Sequence, residues 1–206
     1  MTSPTEVIKS DVDNYEDIAG VNQQGRKLIA DHVSGVYFDD VRAPVTAINP
    51  PGLASDPTFN TTEGYFEFAD AATNLLFITL QLPHNYMEGS NIYPHVHWVQ
   101  TAAGLPLWRL DYKWFNNGVT YPAAFTQIDI VDSVFTYTSG NLVQISRFPL
   151  IVGTNKNISS ILQLQLSRIG GDASDTLNGA TANLLEFDIH YAIDSHGSQR
   201  QFRKIA

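Results

Sequence analysis

Two histidines separated by a single residue are the clearest candidate for metal chemistry in this sequence. They are His95 and His97, in the segment 89–98, which reads GSNIYPHVHW. Side chains at positions i and i+2 of a β-strand point to the same face of the sheet. Two imidazoles at this spacing can therefore share one metal ion.

The same segment resembles the opening of the first cupin motif, G-x5-H-x-H, whose two histidines bind a metal inside a β-barrel. The rest of that motif is missing, because threonine and alanine occupy the positions of the cupin glutamate and no second motif follows. The alternating pattern places Val96 and Trp98 in the core, which turns His95 and His97 outward, whereas cupin ligands point inward. The sequence therefore predicts no cofactor and no bound metal. The alternative is a cupin-like metal-binding protein that uses His95 and His97.

Further polar side chains alternate with apolar ones on two other predicted strands. If these side chains share the outward face of the histidines, they can pair across strands or across a subunit boundary. The predicted interface set is His95, His97, Arg109, Asp111, Glu186, Asp188 and His190. We expect its histidines to make structural or interface hydrogen bonds.

No catalytic signature is present in the sequence. It lacks a G-x-S-x-G elbow, a phosphate-binding glycine loop and an H-E-x-x-H helix motif. Paired carboxylates such as Asp39 and Asp40 occur, but nothing in the sequence places two of them across a cleft at the spacing of a glycosidase. The sequence therefore predicts no catalytic residue and no enzymatic activity.

Apolar and polar residues alternate over much of the chain from residue 75 to residue 193, which indicates antiparallel sheets with one buried face. Strands are predicted at 36–38, 41–44, 64–68, 74–82, 91–100, 105–116, 124–131, 142–150, 158–169 and 182–194, with a turn at Asp39 and Asp40 between the first two. Short connections rich in turn-forming residues separate most of them. The pattern predicts an all-β fold, an antiparallel β-sandwich of jelly-roll type.

Residues 1–35 differ from the rest, because they are polar, acidic in the middle and poor in alternation. We expect an irregular N-terminal arm at 1–35, with a short helix around 16–29, followed by one jelly-roll domain at 36–206. A segment of this composition suits an arm that becomes ordered on a partner. The alternative is a frayed terminus.

Charge and composition exclude several classes of partner. The chain has 21 acidic and 12 basic residues, a formal net charge of -9, so sequence-independent binding to nucleic acid phosphates is not expected. It has no cysteine, hence no disulfide, no thiolate nucleophile and no cysteine-ligated metal. No apolar stretch approaches the length of a membrane span and no export signal is visible, so no membrane association is expected.

Four segments that occur in order carry a resemblance to a known family. They read VYFDDVRAP at 36–44, LQLPHNYMEG at 80–89, IYPHVHW at 92–98 and LEFDIHY at 185–191. Together they resemble a family of virion-associated proteins of tailed bacteriophages, and the resemblance covers roughly residues 36–195. It implies a structural jelly-roll subunit of the virion, made in the host cytoplasm and without enzymatic activity.

Within the virion, the resemblance favours a capsid decoration or cement protein. Such proteins are soluble, acidic and cysteine-free, are often trimeric, and commonly use a terminal arm to grip neighbouring capsomers. The implied partners are further copies of this chain in a homotrimer, and the major capsid protein or other virion proteins. One alternative is a tail or fibre-base component. An adhesin of this kind could stack sugar rings on Tyr93, Trp98 and Trp108, although the spacing of these aromatics is also that of core residues.

Overall fold

The computed structural model describes residues 36–70, 73–130, 132–133, 142–198, 201 and 204. The predicted N-terminal arm and its short helix lie outside these residues. The described part of the chain contains a short 3-10 helix, Val45–Ala47, and the strands β1 (Tyr37–Pro44), β2 (Thr58–Asn60), β3 (Tyr65–Phe68), β4 (Thr73–Gln81), β5 (Ile92–Gln100), β6 (Trp108–Phe115), β7 (Thr126–Asp129), β8 (Asp132–Ser133), β9 (Leu142–Arg147), β10 (Ile161–Ile169) and β11 (Ala182–Ile193). None of the described residues forms a helix with the length and hydropathy of a membrane span.

The strands form two antiparallel sheets. The larger sheet has seven strands in the order β2-β3-β11-β5-β9-β8, and β1 pairs with β11 beyond the end of β3. The smaller sheet has four strands in the order β4-β10-β6-β7. Consecutive long strands thus alternate between the sheets, as in a jelly roll. The predicted antiparallel β-sandwich of jelly-roll type is confirmed.

The core lies between the sheets and follows from the alternation in the sequence. Leu162, Leu164 and Leu166 of β10 are all buried, as are Trp98 and Trp108 from opposite sheets. The two tryptophan rings meet edge to face, with centroids 6.3 Å apart. Burying one leucine side chain contributes about 1.5–3 kcal/mol. The apolar residues therefore fix which face of each strand points into the core.

The predicted turn at Asp39 and Asp40 is wrong. Both residues lie within β1, a continuous strand whose eight residues pair with β11, with Asp39 opposite Tyr191 and Asp40 opposite His190. Aspartate disfavours strands only weakly, and tertiary pairing overrides such local preferences. The short strands β2 and β8 were also missed, because two or three residues are too few to show a period.

Candidate functional site

The candidate site lies on the side of the larger sheet that faces away from the core. We define the outer sheet face as the outward side chains of its four adjacent strands: Phe38, Asp40 and Arg42 of β1, Glu186, Asp188 and His190 of β11, Tyr93, His95 and His97 of β5, and Val143, Ile145 and Arg147 of β9. The alternating residues of β5, including Val96 and Trp98, are buried in the core. The predicted outward direction of His95 and His97 is therefore confirmed, and it is opposite to that of cupin ligands.

Strand register brings the functional side chains together. On β5 and β11, which are both internal strands of the sheet, Asp188 is the direct partner of His95 and Glu186 is the partner of His97. Side chains of directly opposed residues in an antiparallel pair are close enough to interact. A register shift between Leu184 and Glu186 interrupts the pairing. Beyond it, the two histidines and Asp188 share one face.

Asp188 contacts both histidines. Its Oδ1 lies against Nε2 of His95, and its Oδ2 is 3.3 Å from Nε2 of His97. His95 and Asp188 are buried, each with 4% of its surface exposed, whereas His97 is half-buried at the edge of the cluster. The ring of His190 adjoins that of His95, with centroids 4.3 Å apart. One donor atom from each of His95, His97 and Asp188 can be chosen so that all three lie within 4.8 Å of one another.

The pKa of His95 is raised above its ordinary value. Burial acts in the opposite direction and is the largest single influence on it. The hydrogen bond and the negative charge of Asp188, with smaller contributions from the backbone carbonyl of Tyr93 and from Asp40, outweigh burial because all of them favour the charged imidazolium. The carboxylate of Asp188 thus dominates the electrostatics at the centre of the outer sheet face.

Two more ion pairs border this cluster. Arg42 binds Glu186 through two hydrogen bonds, from Nε to Oε1 at 2.7 Å and from Nη2 to Oε2 at 2.5 Å, and this contact raises the pKa of Arg42. Nε2 of His190 lies 3.0 Å from Oδ1 of Asp40. Arg42 is 66% exposed, and the side chains of the His190–Asp40 pair are 49% and 43% exposed, so each pair adds little to stability. The Arg42 guanidinium is engaged by Glu186 rather than by Asp188.

A pocket of about 500 Å³ opens over the cluster. His95, His97 and Asp188 line it together with Arg42, Arg147 and the apolar surfaces of Tyr93, Ile145 and Phe148. The arrangement offers two imidazole nitrogens and a carboxylate to a small ligand or an ion. Aromatic and basic side chains stand beside them.

The predicted interface set divides between two surfaces. Glu186, Asp188 and His190 lie with His95 and His97 on the outer sheet face as expected. The prediction is wrong for Arg109 and Asp111, which belong to β6 in the smaller sheet.

Arg109 binds Asp129 of β7 at 2.7 and 3.1 Å, and burial raises the pKa of Asp111. The reason for the separation is topological. In a jelly roll, β5 and β6 follow each other in the sequence but lie in opposite sheets.

Three charged residues of the outer sheet face were missed in the sequence. Asp40 and Arg42 were assigned to a turn and the short segment after it, and Arg147 was not distinguished from other strand residues. The segment DDVR did contain a signal, because Asp40 and Arg42 have the spacing of one strand face. Only the pairing of β1 with β11 brings that spacing to the cluster.

The proposed sugar-stacking surface is not formed. Trp98 and Trp108 have no exposed surface, and Nε1 of Trp98 donates a hydrogen bond to Ser146 Oγ at 2.9 Å. Of the three aromatics only Tyr93 is exposed, at 38%. The two tryptophans are core residues.

Comparisons with known proteins add little to this geometry. No protein-family model matches the chain, and no curated protein matches it. Among solved structures, the chain is similar to a carbohydrate-binding module, TmCBM61, solved in complex with beta-1,4-galactotriose. The two chains are 11% identical, the match covers 77% of this chain and 88% of that chain, and the TM-score is 0.29. A likeness this weak carries no argument about what this protein binds.

Proposed function

We propose that this chain is a non-enzymatic structural protein of a tailed-phage virion, which decorates the capsid and stabilises it. The resemblance of four ordered segments to virion-associated proteins supports the class. The jelly-roll sandwich is consistent with it, since this architecture recurs in viral capsid proteins. In this proposal, the outer sheet face makes the contacts between subunits.

The observation that carries the proposal is the mixture of side chains on the outer sheet face. Phe38 is 51% exposed, Val143 is 54% exposed and Tyr93 is 38% exposed. Phe38 and Tyr93 form an edge-to-face pair with centroids 5.7 Å apart, so they present one joined aromatic surface. Exposed aromatic and aliphatic groups next to a polar centre are typical of surfaces that bind another protein.

The partner on this face is a further copy of the chain, in a homotrimer. The face carries both signs of charge, with Arg42 and Arg147 beside Asp40, Glu186 and Asp188. In a cyclic trimer, one part of such a face contacts a different part on the next copy, so its acidic and basic groups can pair across the contact. Residues 1–35 would then be left to contact the major capsid protein.

Stabilisation follows from mass action. A protein that binds the assembled shell and not its free subunits shifts assembly by RT ln(1 + [L]/Kd), about 2.7 kcal/mol when its free concentration is 100 times Kd. Three arms on one trimer raise the effective concentration of the second and third arm once the first has bound. No catalytic group is needed for this role.

Particle binding tests the proposal. Purified protein would be added to particles of its own phage prepared without it, and its position and occupancy determined by electron cryomicroscopy. We expect saturable binding on the capsid, and reduced occupancy after deletion of residues 1–30 with the trimer retained in native mass spectrometry. Absence of particle binding would overturn the virion role. Binding confined to the tail would replace the capsid assignment with the tail or fibre-base alternative.

A further inference from the structure

We propose that His95, His97 and Asp188 form a binding site for a divalent transition metal ion such as Zn²⁺. This inference goes beyond the proposed virion role and does not depend on it. An isolated subunit can bind the ion whether or not it binds a particle.

The donor geometry suits such an ion. With metal–nitrogen and metal–oxygen bonds of about 2.0–2.2 Å, neighbouring ligand atoms of a tetrahedral site lie about 3.3–3.6 Å apart. Nε2 of His97 and Oδ2 of Asp188 are 3.3 Å apart, and all three donor groups fall within 4.8 Å. Nε2 of His95 lies against the same carboxylate, so the side chains of His95 and Asp188 would rotate apart to admit the ion.

The carboxylate of Asp188 is placed to be the third ligand. Asp188 is 4% exposed, and its two oxygens lie against Nε2 of His95 and 3.3 Å from Nε2 of His97. A buried carboxylate is costly unless it is hydrogen-bonded or paired with a positive charge. A metal ion bound between the carboxylate and the two imidazoles would supply that charge.

The second nitrogen of His95 is already held by the protein. Nδ1 of His95 lies 3.4 Å from the backbone carbonyl oxygen of Tyr93, in a weak hydrogen bond. Nδ1 donates that hydrogen bond, and Nε2 is the nitrogen that faces Asp188 and is available to an ion. Metal-binding histidines usually have such an outer partner, which sets the tautomer and the ring orientation.

The supporting strands are rigid. β5 and β11 are internal strands of the larger sheet, and the core side of the same segments is filled by Val96, Trp98 and Phe187, all without exposed surface. Sites on the regular elements of a scaffold keep their geometry better than sites on loops. The side chains are therefore held close to the binding geometry before an ion arrives.

Ligand chemistry narrows the choice of ion. Two imidazoles with one carboxylate favour zinc, iron(II), cobalt or nickel, whereas magnesium and calcium favour oxygen ligands only. Three protein donors leave at least one coordination position, and here it faces the pocket over the cluster. That position can take water or a carboxylate, including one from a neighbouring subunit.

Metal titration of the full chain tests the site. Protein freed of metal with a chelator would be titrated with Zn²⁺ by calorimetry, and with Co²⁺ by visible absorption, which reports the ligand field directly. We expect one ion per chain, Co²⁺ bands that Zn²⁺ abolishes, and no comparable binding of Mg²⁺. The absence of saturable Zn²⁺ binding would overturn the inference.

Three variants locate the ion. Loss of an outer-shell partner weakens metal binding by up to about 100-fold. His97→Gln and Asp188→Asn each remove a direct ligand, so each is expected to weaken Zn²⁺ binding by more than that. His84→Gln is the matched control, because both ring nitrogens of His84, which lies in a loop, contact serines. Nδ1 is 2.8 Å from Ser198 Oγ, and Nε2 is 3.1 Å from Ser159 Oγ. This control variant should bind as the unchanged chain does.

Folding of each variant would be checked by circular dichroism. His97 has a partly exposed side chain, so its replacement leaves the core intact. Equal Zn²⁺ affinity in folded His97→Gln and in the unchanged chain would overturn the assignment. Loss of binding in His84→Gln alone would do so as well.

Discussion

Arg168 and Asp175 form a bidentate ion pair in which neither side chain has any exposed surface. Nε of Arg168 is 2.8 Å from Oδ2 of Asp175, and Nη2 is 2.9 Å from Oδ1. The same guanidinium donates to the backbone carbonyl oxygens of Phe68, Leu177 and Ala180. Arg168 of β10 therefore links the end of β3 and the loop before β11 to its own strand.

Asp175→Ala should be among the most destabilising single changes in the protein. Removing Asp175 leaves the buried guanidinium with the partly exposed carboxylate of Asp70, 3.2 Å from Nη2, as its remaining acidic partner among the described residues, so the loss should approach the roughly 3–5 kcal/mol of a broken buried pair. Asp129→Ala is a matched control, because Arg109 and Asp129 form a similar bidentate pair with side chains 28% and 35% exposed. Breaking that pair should cost about 1 kcal/mol or less. Urea unfolding of both variants measures the difference, and equal losses would contradict the assigned role of Arg168.

Adjacent glycines at 170 and 171 should respond differently to alanine. A Cβ on Gly170 would lie 1.7 Å from the backbone oxygen of Asp70, which a rigid backbone cannot accommodate. A Cβ on Gly171 would meet nothing within 4 Å, but this residue has a φ of +77°, where alanine costs about 1–2 kcal/mol.

We therefore expect the Gly170→Ala variant to lose clearly more stability than Gly171→Ala, or not to fold. Thermal unfolding of the two purified variants checks this order. The reverse order would show that the segment can move away from Asp70.

Alkaline pH should destabilise the fold through two tyrosines. Burial, the main cause in each case, raises the pKa of Tyr86 and of Tyr191 to about 12. In the unfolded chain the phenol ionises near its reference pKa of about 10. Between these values the unfolded state loses its protons first, so the free energy of unfolding falls as the pH rises from about 10 to about 12.

Ultraviolet absorbance of tyrosinate, followed during an alkaline titration, measures the higher pH at which the buried tyrosines ionise. Tyr86→Phe and Tyr191→Phe should each remove part of the late-ionising component. Tyr121→Phe, which removes a phenol that is 55% exposed, is the control for the loss of one tyrosine. A single ionisation step near the reference value would contradict the burial of both groups.

Self-association should depend on Phe38 and not on Phe77, another exposed phenylalanine. Phe38 lies on the outer sheet face, whereas Phe77 lies on β4 in the smaller sheet and is 39% exposed. On the proposed function, Phe38→Ser should reduce the trimer population in native mass spectrometry, because it removes half of the aromatic pair with Tyr93. Phe77→Ser should retain the trimer. Dissociation by Phe77→Ser alone would place the contact on the smaller sheet.

Much of the fold could be predicted from local pattern. The face of a strand residue depends only on its position in a period of two, so the buried leucines of β10 and the shared face of His95 and His97 were predictable. The same rule failed at Asp39 and Asp40, where residue preferences suggested a turn. Pairing with β11 made that segment a strand.

The sequence by itself determined the antiparallel β-sandwich class and the outward direction of the two histidines, because both depend on alternation between neighbouring residues. Tertiary structure alone decided that Asp188 lies opposite His95 and that Arg109 belongs to the other sheet. Those relationships depend on which strands pair and in what register. Backbone hydrogen bonds form between distant segments without regard to side-chain identity, so a local pattern cannot specify them.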